Sequence, residues 1–172
     1  MKNRVLRWDW LLLRKIHTHL GCRVLDKIMP WVTRLGNGGL VWLFIAAIML
    51  FLNVKLAFRI FCGLGLGILL GNLLIKLSVR RFRPCWIDEE HPLLVNVPGD
   101  YSFPSCHSLS SSIAATIITL SVPWLGWLVV PVALLIAFSR LYLYVHFPSD
   151  VLGGTLLGFG IGLTVCHIPL LN

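Results

Sequence analysis

Three short clusters, residues 76–84, 104–107 and 139–150, carry most of the side chains of this chain that could do chemistry. They supply three cations, two imidazoles and one carboxylate, namely Lys76, Arg83, Arg140, His107, His146 and Asp150. Imidazole can act as a nucleophile or a general acid, and guanidinium and ammonium groups stabilise charge that develops on phosphoryl oxygens. The set is therefore typical of phosphoryl transfer through a histidine, with cations in the place that magnesium takes in other enzymes.

Two of these residues are predicted in the first turn of a helix. A Pro-Ser pair precedes His107, and because Ser105 is a good helix cap, His107 falls where free N–H groups bind anions. Asp150 follows His146 by four residues, a spacing that lets a carboxylate orient an imidazole. Each cluster alone also fits a structural role, as cations that flank a span, as an ordinary cap, or as a buried pair.

The composition places these clusters in a membrane. Of the 172 residues, 57% are hydrophobic and 13% are charged, which excludes a disordered chain, a coiled coil and a typical cytosolic enzyme. The chain has a net charge of +8 but no polar face large enough to bind nucleic acid. Anionic lipids or phosphate substrates are therefore the expected partners. The five cysteines form no CxxC pair, and neither a disulfide framework nor a zinc site is predicted.

Stretches poor in charge predict about five transmembrane helices, over residues 35–53, 56–75, 105–120, 124–142 and 149–170. In residues 1–34, basic residues interleave with apolar residues at helical spacing, which predicts one or two amphipathic helices at the membrane interface. The predicted fold class is all-α, a polytopic membrane helical bundle. Residues 1–172 form a single domain, in which 1–34 is interfacial and 35–172 is the catalytic core.

Five spans bring the clusters together. The loop that follows the second span and the loop that follows the fourth emerge on the same side of the bilayer. The N-terminus of the third span lies on that side as well. We therefore expect all three clusters to form one site at the membrane surface.

The clusters resemble the three signature motifs of the type 2 phosphatidic acid phosphatase family, membrane lipid phosphate phosphatases related to vanadium haloperoxidases. That pattern is Lys, six residues, Arg-Pro, then Pro-Ser-Gly-His, then Ser-Arg, five residues, His, three residues, Asp. The matching residues are Lys76, Arg83, Pro84, Pro104, Ser105, His107, Ser139, Arg140, His146 and Asp150. Cys106 stands where the family has glycine, so a thiol is added close to the expected phosphate.

The resemblance implies a role for each residue. His146 is the expected nucleophile, His107 the general acid and base, and Asp150 the group that orients the nucleophile. The residues expected to bind phosphate are Lys76, Arg83, Ser105, Cys106 and Arg140. No cofactor and no metal is expected. Undecaprenyl pyrophosphate, phosphatidylglycerophosphate and phosphatidic acid all remain open as substrates, and the sequence gives no prediction of oligomeric state.

Location and function each leave alternatives. The resemblance implies a bacterial cytoplasmic membrane and a site that faces outward. Basic residues crowd the 1–34 segment, however, and by the positive-inside rule they would place the site in the cytoplasm. Alternative functions are a small transporter or proton-relay protein, which would use intramembrane His and Asp, and a catalytically impaired lipid-phosphate-binding homologue, which would follow from Cys106.

Overall fold

A computed structural model describes residues 7–168, and within this range every regular element is a helix. The α-helices are α1 (Arg7–Leu20), α2 (Arg23–Leu35), α3 (Leu40–Leu52), α4 (Val54–Gly67), α5 (Lys76–Val79), α6 (Pro84–Ile87), α7 (Cys106–Ser121), α8 (Gly126–Tyr142) and α9 (Pro148–His167). A π-helical segment, Ile68–Ile75, joins α4 to α5, and short 3₁₀ turns precede α3 and α8. The all-α prediction is confirmed.

Helix α7 forms the centre of the bundle and packs against α4, α8 and α9. Its side chains at positions 113, 114, 117 and 118 are almost completely buried. Helix α9 approaches α7 closely because it carries glycine at the contact. A Cβ on Gly154 would lie 2.5 Å from the main-chain oxygen of Ser105, and a Cβ on Gly158 would lie 2.5 Å from that of Leu109. The first residues of α7 are thereby held against the first turns of α9.

The helices differ from the predicted spans mainly at their ends. Three stretches are long and apolar enough to cross a membrane, Val54–Ile87, Pro123–Tyr142 and Pro148–His167. The predicted span 35–53 is interrupted, because Gly38 and Gly39 adopt left-handed backbone conformations between α2 and α3. The bent pair Arg23–Leu35 and Asn37–Leu52 counts as a fourth candidate span. Helix α7, predicted as a span, is 16 residues long. The predicted span 149–170 extends beyond the described residues.

Helices α1 and α2 pack on the end of the bundle where α8 ends and α9 begins. Helix α2 is amphipathic, since Met29 and Val32 are buried whereas Trp31 is exposed. On α1, Leu13 is buried, and so is the carboxylate of Asp9. The 1–34 segment, of which residues 1–6 lie outside the described range, therefore covers the same end of the bundle as the loops that carry the three clusters.

The close approach of α7 and α9 is testable by adding one methyl group. Gly158→Ala forces Cβ against the Leu109 carbonyl, so we expect the free energy of unfolding to fall by about 1–3 kcal/mol. Gly160→Ala is the matched control, because no atom lies within 4 Å of a Cβ at that position. Thermal unfolding of both variants in the same detergent measures the difference. Equal melting temperatures would contradict the packing described here.

Candidate active site

Two buried cations face the same carboxylate. Nζ of Lys76 lies 2.5 Å from Oδ2 of Asp100, and Nη2 of Arg83 lies 2.5 Å from Oδ1. Arg83 also donates to the main-chain oxygens of Asp100 and Val145, each at 2.7 Å. Lys76 begins α5 and Arg83 caps α6. The spacing of the first cluster therefore places both cations around one anion position.

His146, in the turn between α8 and α9, presents one nitrogen to these cations. Nη1 of Arg83 lies 2.9 Å from Nε2 of His146. Because a guanidinium can only donate, Nε2 holds the lone pair and Nδ1 carries the proton. Burial lowers the pKa of His146 well below its usual 6.5, and the charges of Arg83, Arg140 and Lys76 add to this effect. The imidazole is therefore neutral at neutral pH.

Asp150 is connected to His146 through a hydroxyl. Its Oδ2 lies 3.6 Å from Nδ1, which is longer than an ordinary hydrogen bond. Ser102 donates to this Oδ2, and its Oγ lies 3.4 Å from Nδ1. The main-chain N–H of Phe147 also donates to Oδ2, at 2.8 Å. Ser102, which the sequence analysis did not single out, thus lies within reach of both groups of the predicted pair.

A second ion-pair network lies behind Asp150 and includes the N-terminal helix. Nη1 of Arg81 lies 2.6 Å from Oδ1 of Asp150, and Nη2 lies 2.5 Å from Oδ2 of Asp9. The other oxygen of Asp9 accepts the main-chain N–H of Ser149 at 2.9 Å. Both carboxylates are fully buried. Because each buried charge has a partner of opposite sign, separating α1 from α9 would leave Arg81 and a buried carboxylate without that partner, so the network links the two helices.

The opposite wall of the site combines Arg140 and His107. Arg140 donates from Nη1 to the hydroxyl of Thr33, and its buried Nε has no hydrogen-bond partner among residues 7–168. Nε2 of His107 lies 3.0 Å from Oδ1 of Asn37. An amide oxygen can only accept, so this nitrogen carries a proton. The end of α2 and the turn after it therefore contact two of the predicted site residues.

Ser105 and Cys106 occupy the start of α7. The Ser105 hydroxyl accepts from the main-chain N–H of Ser108 at 3.5 Å and from its side chain at 3.0 Å, so it caps the helix as predicted. Sγ of Cys106 lies 2.7 Å from Nζ of Lys76 and donates to Oδ1 of Asn72 at 2.8 Å. As the first residue of α7, Cys106 has helical backbone angles, so its side chain introduces no left-handed strain.

Two cavities meet at this site. One, of about 430 Å³, has a lining of mixed polarity and is termed the polar cavity because Arg83, Arg140, His107 and His146 are among its lining residues. The second, of about 360 Å³, is mainly apolar and lies between α3, α4 and α7. Asp100, Cys106 and His107 line both of them. The site can therefore hold an anionic group in the polar cavity while an attached apolar chain lies in the adjoining one.

Comparison with known proteins identifies the family. The model of the PAP2 superfamily matches residues 43–172. The chain belongs to the PAP2 superfamily. This confirms the resemblance that the three motifs carry, and the range matched contains all three of them.

Relatives of this PAP2 chain include lipid phosphatases from distant organisms. An undecaprenyl-diphosphatase of Sulfolobus acidocaldarius is 32% identical over 147 residues, which cover 84% of this chain and 70% of that protein. A decaprenylphosphoryl-5-phosphoribose phosphatase of Mycobacterium tuberculosis is 41% identical over 97 residues, 54% of this chain and 50% of that protein, so the chain spans about half of its length. The crystal structure of Aquifex aeolicus LpxE matches with a TM-score of 0.84 at 23% identity, covering 95% of this chain and 97% of that one, which shows a shared fold.

Several residues of the PAP2 site lie outside the predicted set. Asp100 lies in the irregular segment between α6 and α7, and Asn37 in the short turn between α2 and α3, so residue spacing points to neither of them. Asp9 could have been noticed as an acid within a strongly basic amphipathic segment, since such an acid needs a cationic partner if its face is buried. Arg81 lies inside the first motif at a position that the family pattern leaves unspecified.

Proposed function

We propose that this protein is an integral membrane phosphatase that removes a phosphate group from a lipid phosphomonoester or diphosphate through a phosphohistidine at His146. The observation that carries the proposal is the arrangement around Nε2 of His146. This nitrogen is unprotonated and buried, and it lies beside Arg83 in a cavity that Arg140 and His107 also line. A nucleophile surrounded by cations is suited to attack an anionic phosphoryl group.

The proposed reaction has two steps. In the first, Nε2 of His146 forms a bond to phosphorus while the bond from phosphorus to the lipid oxygen breaks, and His107 gives its proton to the departing oxygen. In the second, the oxygen of water forms a bond to phosphorus while the bond from phosphorus to Nε2 of His146 breaks, His107 takes up a proton from that water, and inorganic phosphate is released. For a diphosphate substrate the departing group is the lipid monophosphate.

The other residues position and neutralise these groups. Lys76, Arg83 and Arg140 bind the non-bridging phosphoryl oxygens, on which negative charge is concentrated in the transition state. Ser105 and Cys106 contribute the start of α7, where free N–H groups favour an anion. Because Asp150 accepts the hydroxyl of Ser102, the pair holds the proton on Nδ1 and stabilises the positive charge that His146 acquires on attack.

The apolar cavity supports a lipid as the substrate. Its walls include Leu43 of α3, Leu64 of α4 and Ile113 of α7, and it adjoins the polar cavity at His107. The two relatives compared are named as phosphatases of prenyl-type lipids, which favours a polyprenyl diphosphate or phosphate. Phosphatidylglycerophosphate and phosphatidic acid fit the same two-cavity arrangement. We also propose that residues 1–172 form one domain, which is supported by the contacts that Asp9 of α1, Thr33 of α2 and Asn37 of the following turn make with residues at the site.

The transporter hypothesis is less well supported. A proton relay requires ionisable groups within the membrane span, whereas those of this chain cluster at the helix ends near the start of α7 and α9. Three cations around one imidazole would also repel a transported proton or metal cation. Hydrolysis of a lipid phosphate is expected of a phosphatase and not of a transporter.

Release of inorganic phosphate by the purified protein tests the function. In detergent with EDTA, we expect release from at least one of undecaprenyl diphosphate, phosphatidylglycerophosphate and phosphatidic acid. His146→Ala should reduce turnover by at least about 10³-fold, because the nucleophile is lost. His19→Ala, at an exposed position of α1, should leave it unchanged. No release from any of the three lipids, or equal activity of the two variants, would refute the proposal.

We further propose a bacterial cytoplasmic membrane with the site facing outward, which is the placement that the family resemblance implies. Helices α1 and α2 then lie on the outer surface despite their basic residues. Cys22 is exposed between these two helices, and its main-chain N–H contacts the hydroxyl of Tyr142 at the site end of α8. Labelling of Cys22 therefore shows which side of the membrane the site faces. A membrane-impermeant maleimide should label it in intact cells, with Cys22→Ser as the control. Labelling only after the cells are broken would place the site in the cytoplasm.

A further inference from the structure

Asp100 holds the position that the proposed function assigns to the phosphate. Its two carboxylate oxygens are divided between Lys76 and Arg83, each at 2.5 Å. Phosphoryl oxygens would make the same two contacts. The carboxylate and the phosphate therefore compete for one pair of cations.

The two cations are fixed, whereas the carboxylate is accessible. The side chains of Lys76 and Arg83 are 4% and 3% exposed, but that of Asp100 is 55% exposed. Burial alone would raise the pKa of Asp100, but hydrogen bonds and charges from Lys76 and Arg83 outweigh burial and lower the pKa, so the group is an anion at neutral pH. It enters a buried cationic site from the solvent side.

The surrounding backbone allows the side chain to leave without moving the loop that follows it. Arg83 holds the main-chain oxygens of Asp100 and Tyr101, and the N–H of Ser102 donates to the main-chain oxygen of Arg81. These bonds do not involve the carboxylate. Rotation of the Asp100 side chain into solvent therefore opens the cations while Ser102 stays beside His146.

We propose that Asp100 is an internal counter-anion, which occupies the phosphate position in the free protein and is displaced by substrate. This proposal rests on the proposed function. Its consequence is that Asp100 excludes singly charged lipid headgroups. A phosphomonoester carries about −1.5 to −2 charges at neutral pH, whereas a phosphodiester headgroup carries about −1. Exchanging one carboxylate for one phosphodiester gains no charge interaction with the cations. Exchanging the carboxylate for a phosphomonoester or a diphosphate does gain charge interaction with the two cations.

The location of Asp100 agrees with this role. It lines both the polar and the apolar cavity, so a lipid whose tail enters the apolar cavity brings its headgroup to Asp100. Membrane phospholipids with phosphodiester headgroups surround the protein in large excess over any phosphomonoester substrate. A carboxylate at this junction weakens the binding of every anion, but only headgroups with more than one negative charge gain charge interaction when they displace it.

Binding of inorganic phosphate to Asp100→Asn tests the proposal independently of catalysis. The substitution preserves shape and the main-chain contacts but removes the competing charge. Isothermal titration calorimetry in a neutral detergent should show phosphate binding about tenfold tighter than in the parent protein. Glu90→Gln, which removes one charge from an exposed position of the same loop, should bind phosphate as the parent does. Asp100→Ala, which removes the carboxylate without adding an amide, should behave like Asp100→Asn.

A second measurement addresses the headgroup filter. Vesicles of phosphatidylglycerol, a singly charged phosphodiester, should compete with phosphate in Asp100→Asn and not in the parent protein. If phosphate binds both Asp100 variants no more tightly than the parent, or binds none of these proteins, then Asp100 only positions the two cations and the proposal is overturned. Tighter phosphate binding by the variants, together with a parent that hydrolyses no lipid phosphate, would instead refute the proposed function and leave the counter-anion role standing.

Discussion

The concentration of buried positive charge at one end of the bundle is the constraint on which the site depends. Lys76, Arg81, Arg83 and Arg140 are all nearly inaccessible to solvent. Removing a cation from water costs several kcal/mol unless an opposite charge or hydrogen bonds replace the solvent. The protein provides partners for these cations in two ways, one permanent and one exchangeable. Arg81 lies between the buried carboxylates of Asp9 and Asp150, which no ligand can displace without opening the bundle.

The remaining three cations lack such permanent partners. Lys76 and Arg83 share a carboxylate that is half exposed, and Arg140 has a hydroxyl partner but no carboxylate within 4.0 Å among the described residues. Together they leave an excess of positive charge beside an unprotonated His146. This excess positive charge would destabilise an empty cavity and therefore favours the binding of a phosphoryl group within it. The stabilisation increases as negative charge develops in the transition state.

The helical membrane fold could be predicted from the sequence for a physical reason, whereas the motif residues were recognised by their resemblance to a family pattern. Long uncharged stretches leave only helices as structures that satisfy the backbone within lipid. Lys76 and Arg83, like His146 and Asp150, were related through the family pattern and not through helix geometry, since residues 80–83 and 143–147 are not helical. Helix ends were less predictable, because the break at Gly38 and Gly39 depends on backbone conformations that composition alone does not specify.

Residues that approach the site from distant parts of the chain could not be predicted in the same way. Asp9 reaches Arg81 across 72 positions of sequence, and Thr33 reaches Arg140 across 107. Such contacts depend on how α1 and α2 pack against the bundle, which hydrophobic periodicity does not determine. The segment predicted as an interfacial helix pair consequently supplies a buried carboxylate to the support of the site. Ser102 and Asp100 were missed because they lie in an irregular loop, where residue spacing carries no geometric information.

The proposed mechanism requires that the three motifs form one phosphoryl site in which His146 is the nucleophile. A structure determined in the presence of vanadate tests it most directly, because vanadate can adopt the trigonal-bipyramidal geometry of phosphorus under attack. We expect vanadium bonded to Nε2 of His146, its oxygens on Lys76, Arg83 and Arg140, and the Asp100 carboxylate turned away from both of its present partners. Vanadate bonded to another residue, or an unoccupied site with Asp100 still bound to Lys76 and Arg83 at saturating vanadate, would refute His146 as the nucleophile of this site.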